Sequence, residues 1–411
     1  MYKPIEVTDD IFYVGVNDRT KHLFESLWPL PQGVSYNSYI IRDEKTVLID
    51  TVDICYSDLF MRKIRSVLGD NPIDYLVVNH MEPDHSGSIE FLVYKYPNIQ
   101  IIGNKRTIEM LKGFYGITDN VIEVKDLDEM NLGKYTLQFY MTPMVHWPET
   151  MMTYVREMKT LFSADAFGTF GTLDGGVLDT QLCPERYSDE MIRYYSNIVG
   201  KFGSPVQTAL KKLANVGIDA ICSTHGPVWT VPENITNVVA LYDRLSRYHA
   251  DAGLVIAYGS MYGHTEELAE IIAGEAAGNG VKNIVMHNVS KSHESDILRD
   301  TFKYTGLIIG SPTYNNKLYP AVDSLVSALQ NRNLKNRFFG YFGSFTWADA
   351  TARQLEAFAG SMEFEVVAEP VIMKQAMLAD VVEKARCLGR AMAQKIISGA
   401  EVVPNNTSNC Q

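Results

Sequence analysis

The sequence predicts an α/β protein of two domains, a helix-flanked αββα sandwich followed by a doubly wound parallel sheet. The chain has 411 residues, 46% of them hydrophobic and 21% charged, which is enough for two ordinary cores. In the first 250 residues, short apolar runs come in adjacent pairs, which favours two packed sheets. After residue 250, strands and helices alternate singly, which is typical of a parallel sheet covered on both faces.

Composition excludes several classes of protein. The net charge is −12 and no long basic run occurs, so nucleic acid is not an expected partner. No apolar run approaches the ~20 residues that cross a bilayer, and the first residues do not form a signal peptide. The five cysteines are scattered and odd in number, which indicates reduced thiols and a cytoplasmic location. The absence of Cys-x-x-Cys excludes a cysteine-ligated iron module within this chain.

Elements of the first domain, residues 1–250, follow from apolar runs and from helical spacing. Strands are predicted at residues 11–16, 39–41, 47–49, 75–78, 99–102, 136–141, 160–162 and 220–222. Helices are predicted at residues 57–68, 89–96, 105–115 and 235–249. Residues 250–253 then end the last helical pattern and mark the predicted boundary.

A cluster of metal-competent side chains directly follows the strand at 75–78. It consists of His80, Glu82, Asp84 and His85. The first three alternate and the fourth follows at once, so a loop leaving the strand can turn all four toward one point. Ionisable groups this dense beside a buried strand are costly unless something binds them. We therefore interpret the cluster as a metal site, the alternative being a solvated polar loop.

Three further candidate ligands, His146, Asp165 and His225, each follow a predicted strand. Each one alone is equally consistent with a capping or buried polar residue. Loops at strand ends commonly carry function because the sheet holds them in place. With the first cluster they form a set of four histidines, two aspartates and one glutamate.

These seven residues resemble the metallo-β-lactamase fold in its flavodiiron variant. The segments at 146–149, 162–168 and 225–227 match that pattern as well. Most zinc hydrolases of the fold carry histidine at the second motif position, whereas this chain has Glu82, and a carboxylate there favours iron over zinc. One departure lies at residues 20–27, where several relatives place a histidine and a tyrosine. Here His22 is displaced and no tyrosine is present.

The resemblance implies a ligand set for a di-iron centre, which would be the catalytic group without a side-chain nucleophile. The first iron would take His80, Glu82 and His146. The second would take Asp84, His85 and His225. Asp165 would bridge them, since a carboxylate has two oxygens that can each hold a cation.

The second domain, residues 251–400, predicts a phosphate-bearing planar ligand. A strand at 254–258 runs through a hydroxyl- and glycine-rich turn into a helix from Glu266, and such a helix start is an anion site. No Walker or dinucleotide glycine fingerprint accompanies it. Two further strands, at 307–310 and 339–342, end in loops with aromatic residues. A strand near 364–367 and a helix at 378–397 follow, and residues 401–411 are predicted to be a disordered tail.

This pattern resembles short-chain flavodoxin and implies FMN rather than FAD, because nothing in these loops offers an adenine site. The candidate FMN-binding residues lie in the three strand-end loops. They are Ser260, Met261, Tyr262, Gly263, His264, Thr265, Ser311, Pro312, Thr313, Tyr314, Asn315, Asn316, Gly343, Ser344, Phe345, Thr346 and Trp347.

The order of the two domains resembles the minimal flavodiiron proteins. The resemblance implies an oxidoreductase with two irons and one FMN per chain that reduces dioxygen to water or nitric oxide to nitrous oxide, with dioxygen favoured. It also implies an external donor, such as a rubredoxin or a flavin reductase, and a head-to-tail homodimer or a dimer of dimers. The alternatives are a zinc-dependent hydrolase joined to a flavodoxin and a non-catalytic electron carrier.

Overall fold

The computed structural model describes residues 3–402, and the chain divides into two compact units, Met1–Arg247 and Tyr248–Gln411. The segment 250–253, predicted as a boundary turn, is mostly strand, because the first strand of the second unit already begins at Asp251. The last helix reaches Val402, so the first two residues of the predicted tail are helical. The rest of that tail lies outside the described residues.

The first unit contains sixteen of the described strands and seven α-helices. Its strands are β1 (Ile5–Thr8), β2 (Ile11–Tyr13), β3 (Val16–Asp18), β4 (Leu23–Phe24), β5 (Trp28–Pro29), β6 (Val34–Tyr36), β7 (Tyr39–Ile41), β8 (Val47–Ile49), β9 (Tyr75–Val77), β10 (Gln100–Gly103), β11 (Val121–Glu123), β12 (Glu129–Asn131), β13 (Thr136–Met141), β14 (Met151–Val155), β15 (Thr160–Phe162) and β16 (Ala220–Cys222). Its helices are α1 (Ser57–Leu68), α2 (Pro83–Ser86), α3 (Ile89–Lys95), α4 (Lys105–Tyr115), α5 (Glu185–Tyr194), α6 (Gly203–Leu213) and α7 (Pro232–Ser246).

Two sheets form the core of this unit, in the predicted αββα arrangement. The larger has the strand order β1-β2-β7-β8-β9-β10-β11 and the smaller the order β12-β13-β14-β15-β16. Apolar side chains of both sheets, such as Ile49, Val77, Phe139 and Phe162, pack in one buried cluster. The hairpins β3–β6 and β4–β5 lie outside these sheets.

Parallel pairing gathers the carboxyl ends of the central strands at one edge of each sheet. In the larger sheet β8, β9 and β10 are mutually parallel, with Ile49 opposite Val77. In the smaller sheet β15 and β16 are parallel, with Phe162 opposite Cys222. The residues that follow these strands therefore emerge together at the ends of their sheets, where rigid elements position the loops.

The second unit is a doubly wound sheet with helices around it. Its strands are β17 (Asp251–Tyr258), β18 (Ile284–Asn288), β19 (Tyr304–Pro312), β20 (Phe338–Phe345), β21 (Glu365–Val366) and β22 (Val371–Lys374). Its helices are α8 (His264–Gly278), α9 (Glu294–Lys303), α10 (Pro320–Asn331), α11 (Thr351–Ser361) and α12 (Ala379–Val402). The order β18-β17-β19-β20-β21, with every pairing parallel, is the 2-1-3-4-5 order of the second common doubly wound sheet.

The structure departs from the sequence prediction at one strand and contains elements that the sequence did not predict. The strand predicted at 11–16 ends at Tyr13, where Val14 N–H instead donates to Ser38 O at 2.9 Å, and the next strand pairs elsewhere. The sequence did not predict β22, which follows the predicted strand near 364–367 and pairs with β20. It also did not predict the π-helical turn Tyr195–Val199, which continues α5. Such turns are rare in proteins, and those that occur frequently lie at functional sites.

Candidate metal centre and flavin site

All seven predicted metal ligands lie together in the first unit, and each is at most 7% exposed. They form two adjacent groups. Within each group, the donor atoms lie within 4.8 Å of one another. One group contains His80, Glu82, His146 and Asp165. The other contains Asp84, His85 and His225.

Asp165 lies between the two groups and turns one carboxylate oxygen toward each. Its Oδ2 is 3.1 Å from His146 Nε2 and 3.7 Å from His80 Nε2. Its Oδ1 is 3.1 Å from His85 Nε2 and 3.8 Å from His225 Nε2. This geometry suits a carboxylate that holds one cation on each oxygen.

Within each group, the remaining donor atoms face a common point. Glu82 Oε2 lies 3.2 Å from His80 Nε2 and 3.1 Å from His146 Nε2. On the other side, the Nε2 atoms of His85 and His225 are 3.0 Å apart, and each lies 3.4 Å from an oxygen of Asp84. Imidazole and carboxylate donors without thiolate suit iron as well as other divalent metals.

The side chain of Asp84 shows that this arrangement fits a cation. Both of its carboxylate oxygens are buried, and no hydrogen-bond partner is found for either within residues 3–402. A buried carboxylate that accepts no hydrogen bond is unfavourable, whereas metal coordination would satisfy its oxygens. The residues present therefore fit a pair of bound metal ions.

Contacts with neighbouring histidines together outweigh the effect of burial on the pKa values of two carboxylates of the site. Burial alone would raise the pKa of Asp165, but the charges of His80 and His85 hold it well below its usual value. Burial would likewise raise the pKa of Glu82, but hydrogen bonds to His146 and His80 lower it. Both carboxylates are therefore ionised at neutral pH, which makes the site attractive to cations.

Two of the histidines are oriented by a partner on the ring nitrogen that faces away from the site. His80 Nδ1 lies 2.8 Å from Glu149 Oε1, which also accepts from Met81 N–H at 2.9 Å. His225 Nδ1 lies 2.7 Å from Ser35 O, a carbonyl that can only accept. These contacts direct the Nε2 atoms of both rings toward the centre, as hydrogen-bond partners of the outer ring nitrogen of ligating histidines commonly do. Neither Glu149 nor Ser35 could be identified in this role from the sequence.

Asp50, the residue after β8, holds the start of the first ligand loop. Its carboxylate accepts from Asn79 N–H at 2.7 Å, from Asn79 Nδ2 at 3.0 Å and from His80 N–H at 3.3 Å. Burial raises its pKa to about 6, although these donors and the charge of His85 oppose the rise. The sequence placed Asp50 at a strand end but gave no indication of this contact.

A tyrosine outside the segment 20–27 lies beside the candidate centre. Tyr194, the last residue of α5, is fully buried with its ring 5.4 Å from that of His225. No hydrogen-bond partner for its hydroxyl is found in the described part of the chain. Burial, and then the charge of Asp165, raise its pKa well above the usual value. The residue is distant in sequence from every ligand motif, so the sequence did not reveal it.

The segment 20–27 nevertheless reaches the centre. His22 is exposed, but Phe24 in β4 is buried with its ring 5.4 Å from His225. Glu25 and Ser26 follow with φ values of +49° and +58°. The hairpin turn therefore has a left-handed backbone conformation at two residues that are not glycine. Partial burial of the Glu25 carboxyl and the charge of Glu82 raise its pKa, while Trp28 Nε1 donates to it at 3.0 Å.

The three predicted flavin segments lie at the carboxyl ends of β17, β19 and β20, which are neighbours in the sheet. The strands are longer than predicted, so residues 311–312 and 343–345 belong to β19 and β20 themselves and not to loops. Thr265 Oγ1 and Ser344 Oγ are 3.0 Å apart, and Thr313 N–H donates to Ser344 O at 2.8 Å, so all three loops are connected. Ligands of open α/β sheets bind at this edge.

The first of these loops has the geometry of a phosphate site. Gly263 has φ of +96° and caps the fifteen-residue helix α8, and its N–H donates to Ser260 Oγ at 3.1 Å. A β-carbon on Gly263 would be strained by this backbone conformation. The start of α8 presents amides and the positive end of the helix dipole.

Aromatic side chains surround this edge without being packed into the unit. Tyr262 is 88% exposed and Trp347 87%, while Tyr314 and Met261 are 42% and 43% exposed. Large apolar side chains left in solvent around one edge commonly mark a ligand or partner site. The arrangement is suited to a flat ring held between aromatic residues.

Two family models match the chain, each within one unit. Residues 34–226 match the model described as ODP family beta lactamase, and residues 256–385 match the flavodoxin model. Among curated relatives, a nitric oxide reductase of Moorella thermoacetica is 30% identical over 90% of this chain and 93% of its own length. The chain belongs to the flavodiiron proteins. The predicted family and fold class are confirmed, and the flavodiiron chain is an oxidoreductase.

Other relatives of this flavodiiron chain agree. An anaerobic nitric oxide reductase flavorubredoxin of Vibrio vulnificus is 32% identical over 88% of this chain and 74% of its own length. The structure of rubredoxin oxygen:oxidoreductase from Desulfovibrio gigas has a TM-score of 0.93 at 28% identity, covering 98% of this chain and all of the other. The flavodiiron protein of Giardia intestinalis also has a TM-score of 0.93, at 27% identity and 98% coverage of both chains. Within residues 3–402, no helix is both long and apolar enough to cross a bilayer.

Replacing Asp165 by alanine should abolish iron retention. Loss of an outer-sphere partner typically weakens metal binding by about 10- to 100-fold, and this change removes two oxygens that face the centre directly, so we expect at least about 100-fold weaker binding. Iron per chain and flavin absorbance measure the result. FMN should remain, because its loops belong to the other unit. Asp219→Ala is the control, since that carboxylate is exposed. Full iron occupancy in Asp165→Ala would show that this residue is not a ligand.

Replacing Trp347 by alanine should weaken FMN binding by roughly 1–3 kcal/mol, by analogy with the stacking of bases on aromatic side chains. Fluorescence titration of the flavin-free protein measures the affinity. The matched control is Tyr94→Ala, because Tyr94 is equally exposed, at 87%, and lies in the other unit. If affinity and flavin potential stay at their wild-type values in Trp347→Ala, the indole does not stack on the ring.

Proposed function

We propose that this flavodiiron protein reduces dioxygen to water, nitric oxide to nitrous oxide, or both, at a di-iron centre that receives electrons from FMN. The observation that carries this proposal is the geometry of Asp165, whose two oxygens face two separate groups of histidine and carboxylate donors. Bound as a pair, two ferrous ions supply electrons together to one small gas molecule.

In this proposal, the ligands divide as the two groups do. His80, Glu82 and His146 hold the first iron, and Asp84, His85 and His225 hold the second. Asp165 bridges the pair. The set of donors supports iron over zinc, because Glu82 adds a hard oxygen where zinc hydrolases of this fold use histidine.

Residues around this centre orient the ligands through hydrogen bonds and exclude bulk water. Glu149 and Ser35 fix the rings of His80 and His225. Phe24 and Tyr194 cover the His225 side with buried aromatic surface, which excludes bulk water. The hydroxyl of Tyr194, whose pKa burial already raises, lies near enough to Asp165 for that charge to raise it further.

The gas and the electron donor are proposed from the family. Relatives of this chain are named for both nitric oxide reduction and dioxygen reduction with rubredoxin. We propose dioxygen as the favoured gas and a rubredoxin or a flavin reductase as donor. A cytoplasmic location is consistent with free thiols at all four cysteines among the described residues.

Gas consumption by the purified, anaerobically reduced protein tests this function. We expect about two irons and one FMN per chain, from the family resemblance, and consumption of dioxygen faster than that of nitric oxide. Metal analysis of the same preparation distinguishes the di-iron enzyme from the main alternative, a zinc-dependent hydrolase. If the protein from iron-replete medium holds two zincs and still consumes gas, the reduction does not occur at a di-iron centre and this proposal is wrong.

We also propose that electrons cross between subunits of a head-to-tail dimer, from FMN on one chain to irons on its partner. The proposal rests on the family resemblance and on the observation that each unit carries a complete site on its own strand-end loops. A closed dimer of this kind repeats the same contact twice.

Mixed dimers test this route. One variant, His80→Ala with Asp165→Ala, should keep flavin and lose iron. The other, Gly263→Asp with Thr265→Asp, places negative charge where the FMN phosphate would bind and should keep iron and lose flavin. Neither homodimer should reduce gas with the external donor, but mixed dimers combine one intact flavin site with one intact iron site across the interface. Mixed dimers that stay inactive, while each variant keeps its remaining cofactor, would place the transfer within one chain.

A further inference from the structure

Lys21 is a fixed positive charge beside the Asp84 side of the metal centre. Its ammonium donates to Asp53 Oδ2 at 2.9 Å and to Tyr36 Oη at 3.0 Å. Its side chain is only 31% exposed and that of Asp53 only 17%. The backbone is held as well, because Lys21 N–H donates to Asp18 Oδ1 at 2.9 Å. Lysine is usually solvated and mobile, so this degree of fixation is unusual.

The two partners of Lys21 lie on segments that hold metal ligands. Tyr36 is fully buried with its ring 6.1 Å from that of His225, and the preceding residue, Ser35, binds His225 Nδ1. Asp53 follows closely after Thr51, whose N–H and hydroxyl both donate to His85 O, at 2.8 and 2.7 Å. The ammonium therefore lies between the supports of the two histidines of the second group.

Neighbouring carboxylates keep Lys21 charged. Burial alone would lower the pKa of Lys21, but Asp53, and then Asp84 and Asp18, raise it above its ordinary value. The charge of Asp84 also raises the pKa of the Tyr36 hydroxyl, after the effect of burial. Lys21 is thus ionised at neutral pH, and the carboxylate of the second group that acts on it is Asp84.

We propose that Lys21 is a positioning residue that sets the reduction potential of the metal centre through its charge. The inference rests on the proposed function. An oxidised centre carries more positive charge than a reduced one, and a nearby ammonium destabilises the oxidised state more. Lys21 therefore raises the potential and favours acceptance of electrons from the flavin. Asp53 offsets part of this effect while it fixes the ammonium.

Three variants separate charge from packing. Lys21→Met removes the charge and leaves Asp53 uncompensated. Lys21→Arg keeps the charge and can still donate to a carboxylate and a hydroxyl. Lys21→Met combined with Asp53→Asn removes both charges and leaves the local charge balanced.

A matched control is available in the same unit. Lys63 is also half-buried, lies 5.3 Å from the centroid of the Tyr13 ring and donates to Gly15 O. No carboxylate pairs with it among the residues described, and burial alone lowers its pKa to about 8. Lys63→Met therefore removes a comparable lysine that no neighbouring charge influences.

The readout is the midpoint potential of the iron-loaded protein, from an anaerobic spectroscopic redox titration, with iron content measured on the same samples. We expect a more negative potential in Lys21→Met, a near wild-type value in Lys21→Arg, and a return toward wild type in the double variant. Lys63→Met should not shift the potential. Iron should be retained throughout, because removing one cation does not weaken the binding of another.

Several results would overturn the inference. An unchanged potential in Lys21→Met shows that the charge does not reach the centre. Loss of iron from that variant, or a double variant as altered as Lys21→Met, shows that Lys21 only ties two segments together. Failure of the proposed function itself would be visible in the wild-type protein, as absence of bound iron or of gas consumption, whereas failure of this inference appears only in the Lys21 variants.

Discussion

Burial of the Asp165 carboxylate between two sets of donors is the constraint on which the first unit depends. Its oxygens face His146 and His85 at 3.1 Å each, and the side chain is fully buried. A carboxylate in such a place is tolerated only with opposite charge on both sides. The sandwich meets this demand because its parallel strands release their polar loops at the carboxyl ends, while the apolar faces pack below. The fold thus separates a dry core from one concentrated ionic site.

The outer contacts explain how so many donors share one orientation. Glu149, Ser35 and Asp50 each accept a hydrogen bond from the ligand loops and do not face the centre itself. These contacts come from residues far apart in sequence, so the loops hold one another in place. Such support reduces the rearrangement needed when metal binds, because the ring nitrogens already converge. Lys21 extends this outer layer, since it joins the supports of His85 and His225 and adds a charge of its own.

The second unit uses the same principle with a different chemistry. Parallel strands again place three loops at one edge, but these loops offer helix amides, hydroxyls and exposed aromatic rings in place of ionisable donors. Gly263 and the start of α8 favour an anion, and Trp347 and Tyr262 offer flat apolar surface. A phosphate-bearing ring satisfies both features at once, which is why the flavin interpretation is favoured over a simple anion site.

The sequence by itself determined the class of both units, the family and the seven candidate ligands. It could do so because strand periodicity and dense runs such as His80 to His85 are local signals, readable without knowing which strands pair. It did not determine β22, the π-helical turn after α5, or the roles of Tyr194, Glu149 and Asp50 in the site. The supporting contacts join residues some 30 to 190 positions apart, as for Asp50 with Asn79 and Ser35 with His225. Strand pairing and the packing of separate segments bring such partners together, so only the tertiary structure decided which polar residues support the centre.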